Sequence, residues 1–362
     1  MSEVLLAIGT RKGLWLARSE DGRRSWRLDG RLLPSTEVPS VAVDTRSGGP
    51  RLLVGARSEH WGPTVMRSDD LGGTWTEPEG GAIAFGPDDG ASLERVWQLR
   101  PDSAERPGVV WAGCEPTSLW RSEDGGASFT LVRGLWDHPH RPQWWPGGGG
   151  AMVHTVLPDP RDDDRLLVAM STGGVYVSQD GGQSFEPRNK GIRASFLPDP
   201  EPEFGQCVHK VAQGGDDPAR FYAQNHGGVY RSDDGGLTWT SIADGLPGDF
   251  GFVVLAHPRD RDTCWVVPLV ADVDRVPPKG RLRVYRSRDA GGSWTQSASG
   301  LPDGCWVTTL RDAACVDELD PVGLYLGTRS GSVWASADEG ETFSVVAEHL
   351  PDVYCIRAAV VG

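Results

Sequence analysis

The chain has 362 residues and a formal net charge of −14, with no cluster of Lys and Arg anywhere along it. That balance argues against nucleic acid or an anionic membrane surface as a partner, and no apolar run approaches the roughly 18 residues of a membrane helix. With 48 Gly, 27 Pro and 15 Trp beside 38% hydrophobic residues, the composition is that of a turn-rich folded chain.

The first segments, "VLLAIGT", "GLWLAR" and "SWRLDG" from Val4 onward, read as three short strands. No basic stretch followed by a long apolar one precedes them, so no secretory leader is expected. The six cysteines form no CxxC pair and read as reduced, mostly buried thiols. A cytoplasmic location is the expectation from both.

Between the second and third strands lies "SEDGRRSW", starting at Ser19, and near copies follow along the whole chain. They are "SDDLGGTW" from Ser68, "SEDGGASF" from Ser122, "SQDGGQSF" from Ser178, "SDDGGLTW" from Ser232, "SRDAGGSW" from Ser287 and "SADEGETF" from Ser336. Seven copies at a near-constant period of about 50 residues signal a repeat architecture. Each copy is read as a hairpin turn: Asp accepts backbone N–H bonds, Gly takes left-handed angles, and the last aromatic packs beneath. Calcium is the functional alternative for these aspartates, but the spacing is not that of an EF-hand loop.

Each period divides into four strands; in the fourth they are "MVHTVLP", "RLLVAMS", "GVYVSQD" and "SFEPR". The first period lacks one strand and the C-terminus, "VYCIRAAVV" from Val353, supplies a spare. The expectation is an all-β, seven-bladed β-propeller of four-stranded antiparallel blades spanning residues 1–362 as one domain. The C-terminal strand completes the N-terminal blade and removes the exposed sheet edges.

The repeated residues resemble the Asp-box, or BNR repeat, of sialidase-like and sortilin-like β-propellers. They are closest to intracellular bacterial proteins labelled glycosyl hydrolase on repeat similarity. The resemblance implies the architecture and leaves the activity open. Sialidases of this group use an arginine triad, and Arg11, Arg57 and Arg329 lie in matching loops here. Their arginine-bearing opening motif is missing, their catalytic propellers have six blades, and no Glu matches Tyr354 as a nucleophile pair.

The repeat turns occupy one face, so the long irregular loops at 76–96, 133–153, 186–208 and 267–281 fall on the other, where function is expected. Aligning the innermost strands gives a ring of Pro39, Trp97, His154, His209, Phe252, Trp306 and Tyr354 at the mouth of the central channel. His154 and His209 then sit on adjacent blades, with His226 in a loop of the same blade as His209. Three imidazoles suit a divalent transition metal, Zn, Fe or Cu; the alternative is that they hydrogen-bond backbone round a wet channel. Glu115 and Glu203 are the candidate catalytic carboxylates, and Asp272 and Asp274 are further acidic residues of this face.

Arg11, His60, Trp97, His138, Trp144, Trp306, Arg329 and Tyr354 are the candidate substrate-binding residues. The "PGGGG" stretch before blade four follows no strand and opens no helix, so no nucleotide cofactor is expected. Three readings follow. One is an enzyme acting on a small molecule in a His- and Trp-lined, metal-binding pocket. The second is a sialidase-like glycoside hydrolase with a carbohydrate-like ligand, and the third a non-catalytic protein-binding propeller. The oligomeric state is not specified by these residues.

Overall fold

A computed structural model describes residues 3–361 except 79, 272 and 298; Asp272 therefore lies outside the described residues. Alternating apolar residues, β-branched side chains and Gly-rich turns build seven antiparallel sheets, arranged as a seven-bladed propeller. Blade one combines Glu3–Thr10, Gly13–Ser19 and Arg27–Leu28 with the closing strand Val353–Val361. That strand pairs antiparallel with the first, from Glu3 opposite Val361 to Thr10 opposite Val353.

Blade two contains Glu37–Asp44, Arg51–Ser58 and Gly62–Ser68, and a single bridge between Arg67 and Thr76 begins its fourth strand. The innermost strands of the next five blades are Arg95–Pro101, Val153–Asp159, Val208–Gln213, Phe250–Ala256 and Ala314–Val316. Helix is confined to short pieces among the described residues, the α-helix Arg133–Trp136 and three 3-10 turns. None is long and apolar enough to cross a membrane.

The core lies between the blades. Trp120, Tyr176, Tyr222, Trp265 and Tyr325 are among the largest fully buried side chains, each worth roughly 1.5–3 kcal/mol by removal from water. The repeat turns stitch neighbours together. Trp239 Nε1 donates to the Arg188 carbonyl at 2.9 Å and Trp294 Nε1 to the Ile242 carbonyl at 2.9 Å, each reaching the preceding blade.

Within the turn at Ser122, Ser122 Oγ donates to Asp124 Oδ1 at 2.7 Å and accepts from the Gly126 N–H at 2.8 Å. Ser128 donates its N–H and Oγ–H to the two oxygens of Asp124 at 2.9 and 2.6 Å. The aspartates at 21, 70, 180, 234, 289 and 338 hold the same pattern. Their oxygens serve the turn, which is what its sequence predicts.

The first turn departs from the others at Arg23, which stands where glycine recurs and adopts φ 68°. Its guanidinium crosses to blade seven, donating to Asp317 Oδ2 at 2.9 Å and to the Pro321 carbonyl at 2.9 Å. Both partners of this ion pair are buried. The ring is thus sealed twice, by the shared strand of blade one and by Arg23.

Candidate functional site

The face opposite the repeat turns is built on a repeated irregularity. Trp97, His154, His209 and Tyr354 are each skipped in the pairing of their strands, as the extra residue of a β-bulge. The register also shifts between Gly251 and Val254, around Phe252, and between Glu37 and Ser40, around Pro39. A bulge bends its strand and re-aims the extra side chain, which is how these residues come to surround the channel mouth.

Bulges also free backbone carbonyls, and side chains of the preceding blade satisfy them. Ser40 Oγ donates to the Val96 carbonyl at 2.7 Å, His154 Nε2 to the Val208 carbonyl at 2.8 Å, and His209 Nδ1 to the Gly251 carbonyl at 2.6 Å. A carbonyl only accepts, so each of these ring nitrogens carries the proton.

His154 is consumed by this role. Its Nδ1 meets Thr155 Oγ1 at 3.1 Å, the side chain is fully buried, and burial holds the imidazole well below its usual pKa. The structure does not bring it together with the other expected ligands. His209 differs, because only Nδ1 is spent and Nε2 remains. It stacks on Phe252 with ring centroids 4.7 Å apart, and burial lowers its pKa to about 3. His226 packs edge-on against His209 at 5.6 Å. The third member of this group is Cys207: its Sγ and the two imidazoles place their ligand atoms within 4.8 Å of one another. Sequence reasoning missed Cys207, which stands two residues before His209, just ahead of the strand Val208–Gln213.

Two arginines that the sequence also did not single out complete the mouth. Arg311 lies over Trp97 and Phe252, its guanidinium carbon 5.9 Å from each ring centroid, and Arg275 lies 5.7 Å from Phe252. With Arg95 4.9 Å from Trp97, guanidinium and aromatic faces alternate round the opening. Glu115 closes blade three's second strand beside them. It accepts from Trp97 Nε1 at 2.9 Å and pairs with Arg95 at 3.4 Å, yet burial raises its pKa above the ordinary carboxyl value. Arg95 also holds Glu37 at 2.9 Å, and Arg57 holds the same carboxylate at 3.5 Å.

The glycines at 147–150 lie over this group. A Cβ at Gly150 would fall 2.1 Å from Glu115 Oε1, one at Gly148 3.1 Å from Arg275 Nη2, and one at Gly147 4.0 Å from Cys207 Sγ. Only Gly150 is required by both space and backbone, since its φ of 103° and the nearness of Glu115 each disfavour a side chain there.

The other expected residues are distributed as follows. Glu203 is exposed and interacts electrostatically with His138 and Tyr176, a cluster different from that of Glu115. His138 stacks on buried Trp144 and its Nε2 meets the Phe185 carbonyl at 3.1 Å, while Trp144 Nε1 donates to Tyr176 Oη at 3.0 Å. These two residues therefore anchor the loop ahead of blade four. Trp306 stands eight residues before the innermost strand of blade seven, off the ring, with its indole over Gly280. It remains 62% exposed, and Trp145 and Trp61 on the same face are 73% and 49% exposed. Tyr354 is half-buried among Glu37, Asp352, Arg11 and Arg329, and burial raises its pKa. Arg329 is paired with Asp352 at 2.9 Å; Arg11 and His60 are exposed. Asp274 is exposed as well.

No family model matches the chain. It is similar to an oligoxyloglucan-reducing end-specific xyloglucanase of Emericella nidulans, 26% identical over 252 residues, covering 58% of this chain and 28% of that enzyme. It is also similar to a xyloglucanase of Acetivibrio thermocellus, 31% identical over 134 residues, covering 35% of this chain and 16% of the other. The chain thus spans less than a third of either relative.

Among solved structures, an ancestral GH74 enzyme superposes with a TM-score of 0.59 at 16% identity, over 89% of this chain and 38% of that one. A protein of Lactobacillus plantarum superposes with a TM-score of 0.60 at 14% identity, over 99% of this chain and all of that one. YCF48 bound to D1 peptide superposes at 0.56 and 13% identity, over 91% and 95% of the two chains. These likenesses are of fold.

Proposed function

We propose that the long-loop face binds a neutral oligosaccharide and cleaves a glycosidic bond in it, with Glu115 as general acid. The observation that carries this is Glu115 itself: a carboxyl raised by burial, held by the Trp97 indole, at a mouth flanked by exposed tryptophans. A raised carboxyl pKa favours the protonated form, which is the form that gives a proton to a leaving glycosidic oxygen. Glu37, across the shared Arg95 guanidinium, is the second carboxylate that such chemistry requires. The indoles of Trp61, Trp145 and Trp306 offer flat apolar faces for sugar rings.

A sialoside is the poorer fit. Arg57 and Arg329 are already paired with Glu37 and Asp352, which offsets the charge a sialic acid carboxylate would need. Similarity to two xyloglucanases points to a neutral glucan as the substrate class. The test is hydrolysis of xyloglucan oligosaccharides by the purified chain, with sialyllactose as comparison. Release of shorter products that disappears in Glu115→Gln supports the proposal. No turnover and no binding of either sugar by calorimetry refutes it.

A further inference from the structure

We propose that Cys207, His209 and His226 form a site for a zinc-class divalent metal ion at the channel mouth. The three residues come from two segments of blade five. Cys207 and His209 flank Val208 at the start of the innermost strand, and His226 occupies the turn after Phe221–Asn225. The His226 N–H donates to the Cys207 carbonyl at 2.9 Å, locking that turn against the start of the strand.

The ligand atoms lie within 4.8 Å of one another. Metal–ligand bonds of about 2.0–2.3 Å in a tetrahedral site need separations of roughly 3.3–3.8 Å. Metal binding therefore requires the ligand atoms to draw together by about 1–1.5 Å at most.

The preparation of His209 separates this group from a chance cluster. Its Nδ1–H is committed to the Gly251 carbonyl at 2.6 Å, which fixes the tautomer and leaves the Nε2 lone pair as the only ligand atom. A metal-binding histidine held through its other nitrogen by a carbonyl is the usual supporting arrangement. His154 supports from outside the set, since its Nε2–H grips the carbonyl of Val208, between the two ligands.

Cys207 differs from the other five cysteines, which are buried, in being partly exposed. Arg311 interacts with it electrostatically. One thiolate and two imidazoles suit zinc or cobalt(II), and three protein ligands leave a coordination position for an exogenous group.

The site does not depend on the carbohydrate reading, because metal binding is measured without any sugar. Untagged, reduced full-length chain, stripped of metal, is titrated with Co2+ and followed by absorption. One equivalent per chain with a thiolate-to-cobalt charge-transfer band is expected. Cys207→Ser should abolish the band, and His226→Ala should weaken Co2+ binding by more than about 100-fold, beyond what loss of a supporting residue costs. Neither position is deeply buried, so both variants should keep the wild-type circular dichroism and melting temperature. Absence of the band in the wild-type chain, or its persistence in Cys207→Ser, overturns the proposal.

Discussion

Replacing Arg23 tests whether the ring is sealed outside the shared strand of blade one. Arg23→Ala removes one partner of a buried ion pair and strands Asp317, which is also bound by Tyr325 Oη at 2.7 Å and by the Gly323 N–H at 2.7 Å. Breaking such a pair from one side costs about 3–5 kcal/mol. Arg23→Gly loses the same pair but relieves the left-handed backbone at φ 68°, which is worth roughly 1 kcal/mol. At about 2.1 cal/mol/K of unfolding entropy per residue, a chain this long carries about 0.8 kcal/mol/K. Arg23→Ala should therefore lower the melting temperature by about 4–6 °C, and Arg23→Gly by about 1 °C less. Differential scanning calorimetry of the three proteins measures the order. If Arg23→Ala melts with the wild type, or above Arg23→Gly, the seam does not depend on Arg23 and the reasoning fails.

Gly150→Ala places a Cβ 2.1 Å from Glu115 Oε1 at φ 103°, and should cut hydrolytic kcat/KM by about 100-fold through misplacement of the acid, with a fall in melting temperature of about 1–3 °C from the strained backbone. Unchanged kinetics would remove the glycine stretch from the site. Trp145→Ala and Trp306→Ala should each weaken oligosaccharide binding by about 1 kcal/mol in calorimetry; unaltered affinity in both would rule these indoles out as sugar platforms. The Thr74 N–H, with Ser68 and Thr74 hydroxyls, holds the Asp70 carboxyl down to about 2. Because this lies below the unfolded value near 3.9, its stabilisation is complete above about pH 4 and is lost as pH falls towards 2. Thermal melts across that range should show the loss, and Asp70→Asn should flatten it; an equal slope in both proteins would contradict it.

The repeat made the blades legible because its turn chemistry is local: a serine, an aspartate and a glycine at fixed offsets close their own hydrogen bonds. The spare strand at Val353 was legible for the same reason, as an unmatched member of a counted pattern. The site was less so. Bulges at Trp97, His154 and His209 shift facing by one residue, so periodicity placed these residues at the mouth without showing which nitrogen each would spend on a neighbouring carbonyl. Trp306 was misplaced because blade seven's innermost strand starts only at Ala314, after a loop whose length no strand pattern reports. Cys207, Arg275 and Arg311 were passed over because their proximity is created by three different blades. Glu115 was visible as a carboxylate, but its separation from Glu203 depends on where long loops fold back.

The pairing of Glu3 with Val361 has a mechanical consequence. Both ends of the described chain leave the same end of one antiparallel ladder. Tension applied between them does not shear that ladder along its length; it peels the two strands apart one hydrogen-bonded pair at a time. The propeller should therefore be soft when stretched end to end, opening first at blade one, while a load applied between two opposite blades meets the rest of the ring intact.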